Sequence, residues 1–465
     1  MPSQCRVWIV NHYADAPDRP KGTRHYDLAR QLVASGKAVT IFAAGLSHVT
    51  GREERLARGQ LYRTASYQGV QFVWVRTFPY RGNNWRRQVN MLTFLAAFLV
   101  VQTRFPAPDV VIGSTVHPFA ALGGWIAARL RHAHFLFEIR DLWPQTLVDL
   151  GALREGSAGE RLLRGIEAFL VRRASVVIAL LPGLRAYLLE RGLPVDHVVY
   201  LPNGVDLAVF DAERFGALQT AGQHRAAIST IESMRADGRF VFGYVGSLGR
   251  VNAVSVLVRA ATIAEARAPG RIALVCVGDG PERPSLERLA DGSAAVALAP
   301  AVPKQIVPTI LRSLDATVVH ATATPVYRYG ISFNKLFEYM AAARPVVFAC
   351  VSAYDPVAAT EAGVVVRPDD ADALAGAFLQ LADTPVEELA RMGAAGRAYV
   401  EREHNVVGTG KILAALIDRL VARSSEVARS LESGSPDTDA RTIRDRAEAA
   451  RPGGGAARRP AADRE

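Results

Sequence analysis

Apolar strand-like runs alternate with helix-like segments along most of this chain, and the series runs through twice. The first pass reads RVWIV, AVTIFAA, VQFVWV, DVVIGS, HFLFEI, SVVIAL and VVYLP, separated by helical patterns such as RHYDLARQLVASG, which closes on Gly36. After a polar, helical stretch (Asp211 to Gly238) the series restarts with RFVFGYVGS, RIALVCVGDG, AVALAP, ATVVHA, PVVFAC and GVVVRP. Continuous apolar runs belong to strands buried on both faces, as in a parallel sheet between helix layers. The pattern therefore predicts two doubly wound α/β domains facing across a cleft, joined near LPNGVD (Leu201 to Asp206). We divide the chain into domains over residues 1–203 and 204–400, a C-terminal helix over 401–422 and a disordered tail over 423–465. The tail lacks aromatics and is rich in Ala, Arg, Gly, Pro and Asp, so it cannot bury enough apolar area to offset ordering. Ligands of such sheets bind at the carboxyl ends of the strands, and with two domains the cleft between them is the expected site.

A length of 465 residues exceeds one ordinary core, which agrees with two domains. Three cysteines, Cys5, Cys276 and Cys350, lie far apart in apolar runs, so they read as buried thiols in a reducing compartment. The opening MPSQCRVWIVNHY has no charged leader and no long apolar region, which predicts no secretory signal. The longest apolar run, Met91 to Val101, falls short of the roughly 20 residues a bilayer span needs. Residues 1–100 hold 14 Lys or Arg against 5 Asp or Glu, a local balance of +9 against +10 for the whole chain. Such a basic region suits an anionic membrane surface or a phosphorylated substrate; without a basic stripe interleaved with aromatics, nucleic acid is not expected as a partner. Arg81, Trp85, Arg86 and Arg87 precede the apolar run and Arg104 follows it. That order fits an interfacial helix on anionic lipid, and equally a core helix.

Three glycine-bearing turns follow strands of the second series: GYVGSLGR, VGDGPE and PVYRYGISFNK. Glycine admits close backbone approach to a ligand, and a helix start behind it offers N–H groups to phosphate, which marks Gly246, Gly278 and Gly330 as parts of a nucleotide site. Behind the last turn, Lys335 and Glu338 stand one helical turn apart on one face. They read either as an exposed ion pair worth a few tenths of a kcal/mol, or as a cation for a diphosphate with a carboxylate for ribose hydroxyls. The chain has only five lysines, and this one opens an apolar helix, which favours the second reading. The clustered acids of PDDADAL precede a predicted helix and read as its N-cap, so no metal site is expected.

The segments SFNKLFEYMAAARPVV, LPNGVDLAVF, VGDGPE and RHYDLARQLVASGKAVTIFAA resemble the family 4 retaining glycosyltransferases, over roughly residues 5–420. FEIRDLWPQTLVDLG and FPYRGNNWRRQVNMLTFLAAF are similar to the bacterial fucosaminyltransferase-like branch of surface-polysaccharide synthesis. The resemblance implies the GT-B fold of two Rossmann-like domains. It also implies transfer of a sugar, an N-acetylated amino or deoxyamino one, from a nucleotide-diphosphate sugar, UDP-linked in this branch, to a polyprenyl-diphosphate-linked saccharide. That places the protein at the inner face of the bacterial cytoplasmic membrane, with no metal or other cofactor.

Most of the family carries two glutamates eight apart; here Glu338 is the second and Gly330 stands in place of the first. The branch has the form YG-x-S-x-N-K-x-x-E, so donor-site candidates are Gly246, Arg250, Gly278, Tyr329, Gly330, Ser332, Asn334, Lys335 and Glu338, with backbone N–H groups around Tyr329 to Phe333 facing the sugar. Phe333 stands where the branch often has proline. The wider family's arginine and lysine after the first glycine turn are Ser247 and Asn252 here, with Arg250 and Lys335 as replacement charges. In the first domain His117 resembles the family's histidine near the reacting carbon; the other reading is a partly exposed residue at a helix start. Glu138 reads either as a cleft carboxylate or as a buried acid paired with Arg140. Arg24, His25, Arg140 and Asp141 form the acceptor side. His117, Glu138 and Lys335 are the catalytic candidates. A sugar-nucleotide epimerase of the same fold and a non-catalytic scaffold are the alternatives.

Overall fold

In the computed structural model the first series forms one eight-stranded sheet and the second forms a six-stranded sheet. Residues 4–18, 24–47, 50–82, 84–115, 117–211 and 224–432 are described. The first sheet comprises β1 (Arg6–Val10), β2 (Ala38–Ala44), β3 (Tyr62–Tyr67), β4 (Val70–Val75), β5 (Val110–Ser114), β6 (His134–Ile139), β7 (Val176–Ala179) and β8 (Val198–Tyr200). Its order is β3-β4-β2-β1-β5-β6-β7-β8, parallel except for the β3–β4 hairpin. The second sheet comprises β9 (Phe240–Val245), β10 (Ile272–Val277), β11 (Val296–Ala299), β12 (Ala316–His320), β13 (Val346–Ala349) and β14 (Gly363–Val366). Its order is β11-β10-β9-β12-β13-β14, parallel throughout.

Each sheet changes winding direction beside its first strand, at β1/β5 and at β9/β12. Loops diverge there, and the strand ends open a crevice for a ligand. Period-2 burial fills both faces of the second sheet. Val241 and Val245 of β9 enter one apolar cluster, while Phe242 and Tyr244 enter the cluster on the other face. In the first sheet β3 is the exception. Its YRTASY is largely exposed at the sheet edge, and its polar sequence gave no strand signal.

The segment LPNGVD, residues 201–206, follows β8 and is held against later parts of the chain. Asn203 Nδ2 donates to Ser332 O at 2.8 Å, and the Val205 amide bonds His404 O at 2.6 Å. A Cβ at Gly204 would stand 2.8 Å from Val406 Cα, so the glycine lets the outgoing and returning chain cross in contact. His404 stacks on Phe337 with ring centroids 3.6 Å apart, and its Nδ1 lies 2.8 Å from Asn203 O.

The apolar run forms the helix Trp85–Val101, with Asn84 as its side-chain N-cap. Phe94 and Phe98 are fully buried, and Phe98 meets Phe42 edge-on at 5.0 Å. Trp85, Leu92 and Val100 lie on the outer face, with Trp85 68% exposed. The helix is thus a core element with an apolar outer edge. Among the described residues no helix is long and apolar enough to cross a membrane.

The chain divides into units Met1–Ala415, which carries both sheets, and Leu416–Glu465. The described part of the second unit continues the helix Val406–Glu432. Helix therefore extends past residue 422, where the composition predicts a tail; residues 433–465 of that predicted tail lie outside the described residues.

Candidate active site

The winding switch of the first sheet gathers Arg24, His25, Ser114 and Glu138 into one buried cluster. Arg24 and His25 open the helix Arg24–Ala34 after β1, Ser114 ends β5, and Glu138 lies opposite Ser114 in the β5–β6 register. Arg24 Nε and Nη2 donate to Glu138 Oε1 at 3.0 and 2.9 Å. His25 Nε2 and Ser114 Oγ reach Oε2 at 2.8 and 2.5 Å. Burial alone would raise the Glu138 pKa, but Arg24 and His25 hold it well below the usual carboxylate range. Burial depresses the pKa of His25 against the pull of Glu138.

Four donors fill the carboxylate, leaving it no open acceptor site. The sequence suggested Arg140 as its partner; the structure instead supplies Arg24, 114 residues away, and His25. Arg24 and His25, named above for the acceptor side, are buried in the first turn of their helix. Arg24 also donates to Leu201 O at 2.9 Å and to Pro202 O, which ties the helix start to the connecting segment. Arg140 and Asp141 line a cavity of about 390 Å³ with Trp143, Tyr327, Gly330 and Phe333, and the Arg140 amide donates to Thr115 Oγ1.

His117 is the N-cap residue of the helix Pro118–Arg131 and is wholly buried. Its Nε2 lies 2.7 Å from His12 Nδ1, and His12 stacks on Phe94 at 4.4 Å between ring centroids. Burial, with the charge of Arg87, pushes the His117 pKa down to about 3, so the ring is neutral at physiological pH. His117 Nδ1 has no hydrogen-bond partner among the described residues. The partly exposed reading of His117 is therefore excluded. Its partner His12, next to the apolar run of β1, carried no sequence signal.

Around the second switch the glycines serve the protein itself. A Cβ at Gly278 would overlap Gly246 O, and one at Gly280 would overlap Leu248 O. The loops after β9 and β10 nest there through Leu248 N to Asp279 O at 2.9 Å and Glu282 N to Leu248 O at 3.1 Å. Close approach is the reason for glycine, as expected, but the approaching group is another loop. Arg250 opens the short turn Arg250–Asn252 and is exposed.

Lys335 and Glu338 share a helix, Asn334–Ala341, but each has its own partner. Lys335 Nζ donates to Tyr244 Oη at 2.9 Å and to Asn252 Oδ1 at 2.5 Å. Burial lowers the Lys335 pKa to about 8, against the pull of Glu338. Glu338 Oε1 instead pairs with Lys304, which follows β11 and which the sequence did not mark. The mutual ion pair is thereby excluded. The ammonium stands beside Asn252, where the resemblance expects a lysine. The helix has no side-chain cap, and its first intrahelical-side amide bond is Leu336 N to Phe333 O. The amides of Asn334 and Lys335 thus start the helix as donors.

Glu338, Lys304 and Asn334 line a second cavity of about 350 Å³ together with Tyr26, Arg30 and Asp206. Asn334 borders both cavities; Lys335 and His117 are in the lining of neither. Gly330 adopts φ 102° and ψ −178°, and a Cβ there would stand 2.7 Å from Pro182 Cδ. Its amide bonds Tyr327 O at 2.9 Å, so of the backbone donors proposed for a sugar this one is already engaged. Tyr329 faces the first domain: its ring meets Tyr187 edge-on at 5.2 Å and its hydroxyl donates to Glu190. Ser332 lines the 390 Å³ cavity and its carbonyl accepts from Asn203. Among the described residues no group of three or more His, Cys, Asp or Glu side chains is arranged to hold a metal ion.

Two all-but-parallel sheets, each with its crevice at a winding switch, define a GT-B architecture, and the comparisons agree. The family described as glycosyl transferase 4-like domain matches residues 22–204, and glycosyl transferases group 1 matches residues 239–384. Sucrose-phosphate synthase from Thermosynechococcus elongatus is 17% identical with a TM-score of 0.69, over 90% of this chain and 100% of that one. HepE from Anabaena, in complex with UDP and glucose, is 14% identical with a TM-score of 0.60, over 90% and 100%. WaaG, a glycosyltransferase involved in lipopolysaccharide biosynthesis, is 15% identical with a TM-score of 0.60, over 89% and 99%. No curated protein matches the chain. The structural likenesses carry the fold, and the two family matches together take in both sheets. The chain belongs to the family 4 glycosyltransferases and is an enzyme of that class.

Proposed function

We propose that this enzyme transfers an N-acetylated amino or deoxyamino sugar, with retention, from a UDP-linked donor to a lipid-linked saccharide in bacterial surface-polysaccharide synthesis. The observation that carries the donor reading is the separation of Lys335 from Glu338. Lys335 holds its charge against two neutral oxygens, beside the uncapped start of a helix. A diphosphate placed there gains the ammonium, the amides of Asn334 and Lys335, and the positive end of the helix dipole. These groups neutralise the charge that grows on the leaving diphosphate, with no metal required. Glu338, one turn deeper, faces the 350 Å³ cavity and accepts ribose hydroxyls.

The HepE complex with UDP and glucose supports a UDP donor in this fold. The apolar walls of the other cavity, among them Leu142, Trp143, Val326 and Phe333, favour a sugar with acetamido or methyl groups over one bearing only hydroxyls. The outer edge of the helix Trp85–Val101, flanked by exposed Arg81 and Arg86, supports docking on an anionic membrane and so a lipid-linked acceptor.

The test is a mass-spectrometric panel of UDP-sugars against polyprenyl-diphosphate saccharides, in which product must depend on the acceptor. Within it, Glu338→Ala weakens UDP binding by about 1.5–3 kcal/mol, the worth of charged hydrogen bonds. Lys335→Ala lowers turnover by about 100-fold or more at saturating donor. Near-wild-type kinetics in both variants would remove the donor-site assignment.

A further inference from the structure

Lys335 is held in an unusual way for a half-buried cation: every protein oxygen that it bonds is neutral. Its two acceptors are themselves oriented by a single carbonyl. Tyr244 Oη donates to Ser247 O at 2.7 Å, and Asn252 Nδ2 donates to the same oxygen at 2.9 Å. With their hydrogens committed to Ser247, the hydroxyl lone pair of Tyr244 and the amide oxygen of Asn252 are left facing the ammonium. The backbone of Asn252 is fixed in turn. His320 Nδ1 lies 3.2 Å from Asn252 O, while His320 Nε2 accepts from the Asp369 amide at 2.9 Å, which makes Nδ1 the protonated nitrogen. Two of the three ammonium hydrogens are thereby placed, and the third has no hydrogen-bond acceptor among the described residues.

We propose that Asn252 and Tyr244 are positioning residues that fix the Lys335 ammonium at the mouth of the β9 loop while leaving its charge uncompensated for an incoming diphosphate. The proposal rests on the donor-site reading of Lys335 given above. A carboxylate in place of Asn252 would hold the lysine as well, but would supply internally the anion that the ligand brings. A neutral amide meets both demands, position without neutralisation. The titratable groups facing Nζ are Tyr244 from β9, Glu338 from its own helix and His320 from β12, and of these Glu338 is already paired with Lys304.

Asn252→Asp and Tyr244→Phe test this by UDP calorimetry and by turnover against pH in the full-length enzyme. Asn252→Asp should weaken UDP binding at least tenfold and carry the alkaline limb of kcat upward by a pH unit or more, because the new carboxylate stabilises the ammonium. Tyr244→Phe retains the ring and its packing, and should lower kcat by about tenfold, more than it changes KM, because the ammonium loses one of its two anchors. A merely structural role for the two residues would move neither the pH profile nor the split between kcat and KM. UDP affinity and pH profile unchanged in both variants, with Lys335→Ala still impaired, would overturn this inference and leave the donor site standing. A wild-type Lys335→Ala would overturn both.

Discussion

Gly330 stands where the wider family has an acid, and restoring a side chain there should disable the enzyme. Two independent costs follow from its geometry. At φ 102° and ψ −178° the backbone lies in a region that is essentially glycine's alone, and a side chain there costs about 1–3 kcal/mol. The new Cβ would also stand 2.7 and 2.8 Å from Pro182 Cδ and Cγ and 3.5 Å from Tyr354. Proline ring atoms cannot rotate aside, and such overpacking costs about a further 1–3 kcal/mol. The opposing surface has no slack either, because a Cβ at Gly183 would meet Tyr329 O at 2.6 Å while the Gly183 amide bonds that oxygen at 2.9 Å.

A total of about 2–6 kcal/mol is a large part of the 5–15 kcal/mol that keeps a domain folded. The loop should therefore retract from Pro182, and with it the start of the helix that carries Lys335. The assay is urea denaturation followed by circular dichroism, paired with UDP calorimetry, on Gly330→Ala and Gly330→Glu. Both variants should show a lowered midpoint and weakened UDP binding, and Gly330→Glu should be inactive. If Gly330→Ala keeps its stability within about 0.5 kcal/mol, a typical surface substitution, and keeps wild-type turnover, the reasoning is wrong.

Two further outcomes are expected. Arg81→Glu with Arg86→Glu should weaken binding to phosphatidylserine vesicles by about 100-fold, at about 1 kcal/mol per charge lost and more for reversal, with an unchanged circular dichroism spectrum; unchanged vesicle binding would count against membrane docking. Glu167 is buried with both oxygens 3.0 Å from the Tyr187 hydroxyl, and burial raises its pKa to about 7 against the pull of Tyr187 and Arg191. Between about pH 4.5 and 7 the folded chain then holds a proton that the unfolded chain lacks, so this group's contribution falls as pH rises, by about 3 kcal/mol across the window. Glu167→Gln mimics the protonated form and should gain stability over wild type from pH 5 to pH 8, as read from paired urea titrations; a constant difference between the two proteins would exclude the shift.

What the sequence made legible was burial, and what it hid was partnership. Strands such as IALVCV and VVFA are apolar at every position because helices cover both faces, and those runs mark β10 and β13 directly. YRTASY at the sheet edge has no apolar face to reveal it. At the site, residue types were readable but contacts spanning long stretches of chain were not. Glu138 is a plausible cleft acid until Arg24 arrives from 114 residues earlier to fill it. Lys335 and Glu338 share a helix face, yet the fold brings Tyr244 and Asn252 to one and Lys304 to the other. The glycines after β9 and β10 read in the sequence as places where backbone approaches a ligand, whereas in the fold the group approaching Gly278 and Gly280 is another loop.

The two winding switches use charge in opposite ways, and this difference bears on where the chemistry can lie. At the first, the Arg24 guanidinium and Glu138 carboxylate satisfy one another in a largely buried pair, although Arg24 also borders the 350 Å³ cavity, so an added anion there would compete with an existing ion pair. Removing one partner would leave the other buried and uncompensated, which is a structural penalty. At the second, the Lys335 ammonium hydrogen-bonds only to neutral oxygens, with the Tyr244 ring 4.7 Å from it and Glu338 paired elsewhere. An anion brought to about 4 Å from such a charge gains about 4 kcal/mol at the effective dielectric of a protein surface, with no internal ion pair to break first. A buried pair holds the connecting segment in place, whereas a cation bonded only to neutral oxygens is a standing preference for an anionic ligand. On the donor-site reading, the first switch is therefore the scaffold of this enzyme and the second is the seat of its leaving-group chemistry.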